Sequence, residues 1–204
     1  MAINLQNAEK QSTLHEAGDR LGTYYLADNP KYFEVQRTNN FVFYVSGLKE
    51  KGLKIPQNTY AQNNIEDVIK VSVNKSFVPQ FTMSTITVNR GNNTMKFAGK
   101  PEFGSGNIEL VDYIGAGAYD ALLAWKNQAY DPETEKVGLV TDYKCDAYLL
   151  EYTPDYQLVR TWKLLGCWCT SVSKGDYSHD SNDKQMISAN IEYDKAWVDT
   201  TDID

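Results

Sequence analysis

Few residues in this 204-residue chain are of types that do covalent chemistry, and their spacing does not favour it. There are two histidines, His15 and His179, and three cysteines, Cys145, Cys167 and Cys169. His179-Asp180-Ser181 contains the residue types of a nucleophilic triad. A triad needs side chains that converge, whereas consecutive loop residues diverge, so this run predicts only a polar loop. Cys167 and Cys169 share a face if their segment is extended. With Cys145 they offer three thiolates, one short of the set a structural zinc takes. An odd count in a chain of this length also argues against a disulfide framework and leaves reduced thiols filling a core. Gly115-Ala116-Gly117 lacks the following Gly and Lys-Ser/Thr of a phosphate cradle, so it predicts a flexible helix entry. Asn74-Lys75-Ser76 and Asn92-Asn93-Thr94 match the glycosylation pattern, which has meaning only in a secreted chain. Glu192 and Asp194 are two carboxylates at strand spacing. Acid–base work needs a cleft and unequal environments, and an open alternating strand supplies neither. The sequence therefore predicts no catalytic residue, no metal site and no cofactor.

The elements that would position these residues belong to an ordinary folded chain. Hydrophobic residues make up 42% and charged residues 23%, too apolar for a disordered tail. The length is that of one domain, or two small ones. The net charge is −7 and the pI near 4.9, against a protein that grips nucleic acid through its phosphates. Residues 176–204 hold eight acids, Asp176, Asp180, Asp183, Glu192, Asp194, Asp199, Asp202 and Asp204, against Lys184 and Lys195. That stretch is either a solvated face or a surface that repels a polyanion or meets a basic partner. No apolar run approaches the roughly 18 residues of a membrane span. The opening residues 1–7 lack the basic and apolar regions of a signal peptide.

Along the chain, residues 1–36 are polar and weakly patterned, an N-terminal arm with one candidate helix from Gln6 to Leu21. Phe41 to Val45 is β-branched and aromatic and predicts a strand. Residues 48–66 predict a long polar loop, of the kind that usually serves an interaction. Alternation at Ile69, Val71 and Val73 predicts a strand over 67–73. Two further strands, 85–89 and 92–98, meet at Gly91-Asn92 as a hairpin, and another lies near 106–112. Ala118, Leu122, Trp125 and Ala129 mark a helix at about 116–130, entered after Gly117 and ended by Asp131-Pro132. Strands over 145–152 and 157–168 flank the turn Thr153-Pro154-Asp155-Tyr156. After a polar loop, 173–184, a last strand runs over 186–197. Its Ile187, Ala189, Ile191 and Tyr193 point one way, and Ser188, Asn190, Glu192 and Asp194 the other. The expected fold is mainly β: an antiparallel sandwich or barrel flanked by one helix, spanning 37–198 and followed by a short tail, 199–204. Fourteen Tyr and four Trp suit interfaces as well as cores.

Several stretches resemble the tail tube proteins of long-tailed bacteriophages. Arg37-Thr38-Asn39-Asn40-Phe41 resembles the family's entry into its first strand. Phe97-Ala98-Gly99 to Gly106, then Ile108-Glu109-Leu110-Val111-Asp112 and the helix with Leu123-Ala124-Trp125, resemble its central strand–helix unit. Leu158-Val159-Arg160-Thr161-Trp162-Lys163-Leu164-Leu165-Gly166-Cys167-Trp168, leading to Ile187-Ser188-Ala189-Asn190-Ile191-Glu192-Tyr193-Asp194, is similar to its closing pair of strands. The resemblance covers about residues 37–198.

It implies a structural virion protein of the phage tail, assembled in the bacterial host cytoplasm and not an enzyme. Six copies would form a ring, with strands joined between subunits. Rings would stack into a hollow conduit through which the tape-measure protein and phage DNA pass without specific binding. Tail sheath, baseplate and tail terminator proteins are the implied partners, and no membrane is involved. Within such a tube, Ser188, Asn190, Glu192 and Asp194 are expected to face the lumen, and Lys49, Lys51 and Lys54 to contact the next ring. Two other functions share the pattern: the inner tube of a contractile injection system or tail-like bacteriocin, and a carbohydrate-binding β-sandwich. A glycosidase using two carboxylates is a further, weaker alternative.

Overall fold

Apolar residues at alternate positions build most of this chain into strands, all paired antiparallel. The computed structural model describes residues 35–53, 55, 59–180 and 182–199. The chain divides into two units, Met1–Asn39 and Asn40–Asp204. Of the first, residues 35–39 are described, as irregular chain and a turn. The helix expected from Gln6 to Leu21 and the terminal residues 200–204 lie outside the described residues.

The second unit begins with β1 (Phe41–Ser46), a single 3₁₀ turn (Lys49–Lys51), α1 (Thr59–Asn63), α2 (Ile65–Ser72) and β2 (Val73–Lys75). Next come β3 (Phe81–Arg90), β4 (Asn93–Phe103), β5 (Gly106–Val111) and α3 (Ala118–Ala129). Short β6 (Tyr130–Asp131), β7 (Lys136–Val137) and α4 (Val140–Tyr143) lead to β8 (Cys145–Tyr152), β9 (Leu158–Lys174), β10 (Met186–Glu192) and β11 (Lys195–Asp199). A seven-stranded sheet runs β1-β8-β9-β10-β5-β2, with β11 also on β9. Its organiser is β9, 17 residues long. The first part pairs with β8 and β11, and the last part with β10.

Where β9 passes from one set of partners to the other, the ladder slips: Cys145 faces Cys167, but Ala147 faces Leu164. Gly166 absorbs the extra residue at φ +65, a left-handed conformation that costs a side-chain-bearing residue about 1–2 kcal/mol. The Asp194 carboxyl lies against its Cα, where a Cβ would overlap it.

One core joins both sets of strands to the helices. Phe43 and Val45 of β1, Ala147 and Leu149 of β8, and Ile187, Ala189 and Ile191 of β10 are buried in it. Ile108 and Leu110 of β5, paired with Ala189 and Ile187 of β10, join it in the same sheet, and Ala118, Ala121, Leu122 and Trp125 of α3 are buried in it too. The Trp125 indole N–H donates to the Tyr143 carbonyl at 2.8 Å, so the ring is buried without an orphaned donor. The three thiols are buried and unpaired, filling the core as expected.

Four expectations are corrected. Residues 67–73 are helical up to Ser72, not a strand: Ile65, Val68, Ile69 and Ser72 are buried, at helical spacing, while Val71 is 72% exposed. The period-2 alternation there was coincidence, and Glu66 and Asp67 in the first turn with Lys70 in the last favour the helix dipole. The fold also has more than one helix, since α1, α2 and α4 accompany α3. Third, 186–197 is two strands, β10 and β11, broken at Tyr193-Asp194. The break exists because β10 pairs with the far part of β9 and β11 with the near part. In the stretch 48–66, expected as loop, the 3₁₀ turn and α1 form, and Leu48, Leu53, Ile55, Ala61 and Ile65 are buried.

Candidate assembly surface

The sequence predicts the hairpin at Gly91-Asn92, but not its size or its isolation. Strands β3 and β4 pair only with each other among the described residues. Every residue of β3 is exposed, and so are most of β4, including Ile86, Val88, Met95 and Phe97. Two paired strands with no third partner are marginal in water unless something covers a face.

The register gives the ribbon two different apolar faces. At the base, Phe81 pairs with Phe103 and Met83 with Pro101; toward the tip, Ile86 pairs with Phe97 and Val88 with Met95. Between them the ladder shifts, because β4 carries one extra residue at Gly99-Lys100 opposite Ser84. Ser84 Oγ donates to the Lys100 carbonyl at 3.2 Å. On the unbulged strand β3, alternate residues face opposite ways, so Phe81 and Met83 lie on one side and Ile86 and Val88 on the other.

The base face is anchored. The Phe81 and Phe103 rings are 5.5 Å apart, and Phe103 meets the Tyr193 ring edge-on at 6.2 Å. Tyr193 in turn stacks on Phe77 at 5.9 Å. Its hydroxyl donates to the Gln80 carbonyl and accepts from the Gln80 N–H, both at 3.0 Å. Burial raises the Tyr193 pKa. No described residue covers the tip face. Beside the base, Pro79, Gln80, Phe81, Phe103, Trp162 and Ala196 line a mostly apolar notch of about 310 Å³ where the core reaches solvent.

The second surface is the polar side of β5, β10 and β9. Ser188, Asn190 and Glu192 lie on it, each partly exposed, while Ile187, Ala189 and Ile191 point inward. Much of its hydrogen-bonding capacity is used internally. Asn107 Nδ2 donates to Ser188 Oγ at 2.8 Å, and Asn190 Nδ2 to Thr170 Oγ1 at 3.2 Å. Lys75 and Glu109 pair at 2.8 Å. Asp194 is not on the strand: it lies in the turn after β10, and Lys144 Nζ donates to both its oxygens at 2.6 and 2.7 Å. At the far end of β9, Lys174 pairs with Asp112 at 2.6 Å and lies 5.5 Å from the Tyr119 and Tyr177 ring centroids. The Asp112 carboxylate and the Tyr177 hydroxyl hold its pKa above the usual lysine value.

Of the basic residues expected at an inter-ring contact, Lys49 and Lys51 sit on the 3₁₀ turn and Lys54 lies outside the described residues. Lys51 Nζ donates to the Thr141 carbonyl, and the Lys49 N–H to Glu66 Oε1 at 3.2 Å. The Lys51 side chain is thus engaged by its own chain, whereas Lys49 is held there through its backbone and its residue is exposed. The surface aromatics of β1 and β8 are similarly engaged. Tyr44 and Tyr148 stack at 5.0 Å, with Lys70 and Lys163 each 5.7 Å over one ring. Among the described residues no cluster of three or more His, Cys, Asp or Glu could hold a metal, and His179 and Asp180 lie in an exposed turn.

No known family and no curated protein matches the sequence. Solved structures do match the fold. One is a chain of the sheath–tube complex of the extracellular contractile injection system PVC in its extended state: TM-score 0.59, 16% identity, 87% of this chain and 97% of that one. The tube-terminating cap of the anti-feeding prophage gives 0.58 at 13% identity, over 88% and 100%. The PVC sheath/tube terminator in the extended state gives 0.56 at 17%, over 80% and 96%. The chain has the fold found in these tube assemblies. At the level of fold, the expected likeness to tail tube proteins holds.

Proposed function

We propose that the chain is a structural subunit of a hollow tail tube. The observation that carries this is the fold likeness, which spans nearly the whole length of the sheath–tube chain. The open hairpin supports it, because an apolar ribbon that no other described residue covers suits a protein completed by neighbours. In this proposal the chains close into rings, with six as the expected number, and the rings stack. Sheath, baseplate and terminator proteins are the partners, as the matched assemblies' own names indicate for those systems. The polar side of β5, β10 and β9, with Ser188, Asn190 and Glu192, would line the lumen. Asn107 bonds to Ser188 and Asn190 to Thr170, so these groups are already used within the chain and hold passing cargo less. Asp194, already ion-paired, would contribute less. Lys49, Lys51 and Lys54 would lie toward the adjacent ring.

The tube is either a phage tail that conducts DNA or the inner tube of a contractile injection system, and the matched structures, drawn from injection systems, favour the second. Negative-stain microscopy of the purified protein at rising concentration should show rings or tubes. A protein that stays monomeric throughout sinks the proposal. Nuclease-protected DNA in native particles decides between the two cargoes.

A further inference from the structure

We propose that Cys145 and Cys167 form a latent disulfide site, a thiol pair that a small-molecule disulfide oxidises to one cross-strand bond between β8 and β9. The bond lies inside a single chain and does not depend on the tube proposal. Cys145 and Cys167 stand directly opposite each other in the β8–β9 ladder. Opposite residues of an antiparallel pair have Cα atoms about 4.5–5.5 Å apart and send their side chains to the same face. A disulfide spans about 4.4–6.8 Å between Cα atoms, so the ladder already holds this pair at bonding separation. Both side chains are buried in the core, and the Cys167 sulfur turns toward β8, where it accepts from the Ala147 N–H. Cys169 is placed differently. It is diagonal to Cys145, a position about 7–8 Å away, and bridging fails beyond about 7 Å. It faces Ile191 of β10, and its thiol donates to the Ser171 carbonyl at 3.5 Å. The fold thus sorts three thiols into one pair and one spectator.

Cys145 is the member of the pair that a small molecule meets first. It borders a polar cleft of about 510 Å³, lined also by Lys51, Asp142, Lys144 and Asp146, whereas Cys167 has no exposed surface. Burial pushes both thiols up to about 12, so thiolate is scarce in the finished fold. The exchange therefore runs while β8 and β9 come together. With oxidised glutathione as the oxidant, the Cys145 thiolate attacks one of its sulfurs, its S–S bond breaks, and one glutathione thiolate leaves. The Cys167 thiolate then attacks the Cys145 sulfur, forms the protein S–S bond and expels the second glutathione thiolate. Two protein thiols lose two electrons and two protons, and one glutathione disulfide becomes two thiols. The new bond sits beside Gly166, where β9 changes partners. Closing the loop 145–167 restricts the unfolded chain and favours the folded form by roughly a hundredfold or more. In reducing surroundings the site is two core thiols; in oxidising ones it is a staple.

The test refolds the full chain from urea in a buffer of reduced and oxidised glutathione, caps free thiols with N-ethylmaleimide and maps the peptides by mass spectrometry. The expected product has Cys145 linked to Cys167 and Cys169 capped. Its urea midpoint should lie about 1 M above that of the reduced chain. Cys167→Ala should lose both the link and the rise, and Cys145→Ala should do the same from the other side if the first variant fails to fold. Cys169→Ala should keep both. A link between Cys167 and Cys169, the closest pair along the sequence, overturns the site. So does a mixture of pairs, a glutathione adduct alone, no oxidation, or a linked product no more stable than the reduced one. None of these outcomes touches the tube proposal, which microscopy of the assembled protein decides.

Discussion

The thiols of Cys145, Cys167 and Cys169 are the nearest this chain comes to nucleophiles, and the fold suppresses them. Burial pushes each up to about 12, against about 8.5 for a free cysteine. The folded form therefore keeps protons that the unfolded chain gives up. The stability linked to these groups is complete below about pH 8.5 and declines as the pH climbs toward 12. Lys174, also raised, acts in the same direction at still higher pH. Two outcomes are expected: iodoacetamide at pH 8 labels the thiols only after denaturation, and the urea midpoint falls between pH 8 and pH 10.5. Rapid labelling of the native protein would show that the thiols are accessible. Gly106 shows how tight the neighbouring packing is, since a Cβ there would overlap the ring of Phe77, which packs between Phe43 and Tyr193.

At the scale of elements, α2 separates two ways of reading the same residues. Strand spacing puts Ile69 and Val71 on one face; the helix buries Ile69 and leaves Val71 in solvent. Ile69→Ala should then cost about 2–5 kcal/mol in chemical denaturation, and Val71→Ala no more than about 0.5. Equal effects would contradict the helix. The sequence reveals elements well where one period dominates. The strand over 145–152 and the helix at about 116–130 are legible because their apolar residues keep a single spacing, and β8 and α3 lie there. It misleads where a segment is short, as at Ile69-Lys70-Val71, or where partner exchange interrupts a continuous alternation, as at Tyr193-Asp194. The tip face of the hairpin leaves a trace: the apolar residues change parity on β3 between Met83 and Ile86, while Met95, Phe97 and Phe103 keep theirs on β4, so one unbroken register cannot pair them all. What no single-chain pattern shows is that, among the described residues, no third strand pairs with that ribbon, because isolation is a property of tertiary pairing. The polar side of β10 was legible from Ser188, Asn190 and Glu192; the capture of Asp194 by Lys144, 50 residues earlier, was not.

For the whole second unit, β9 has a mechanical consequence. One strand belongs to both groups of partners, crossing at Gly166, so neither group can separate from the other without tearing that strand from its own neighbours. The two groups have no independent way to melt. Amide hydrogens on Leu149, in β8, and on Ile108, in β5, should exchange with the same opening free energy and the same denaturant dependence. A chain that opens only as a unit would enter any larger structure whole, carrying its strain evenly and offering no half-unravelled stage at which a wall built from it could begin to fail.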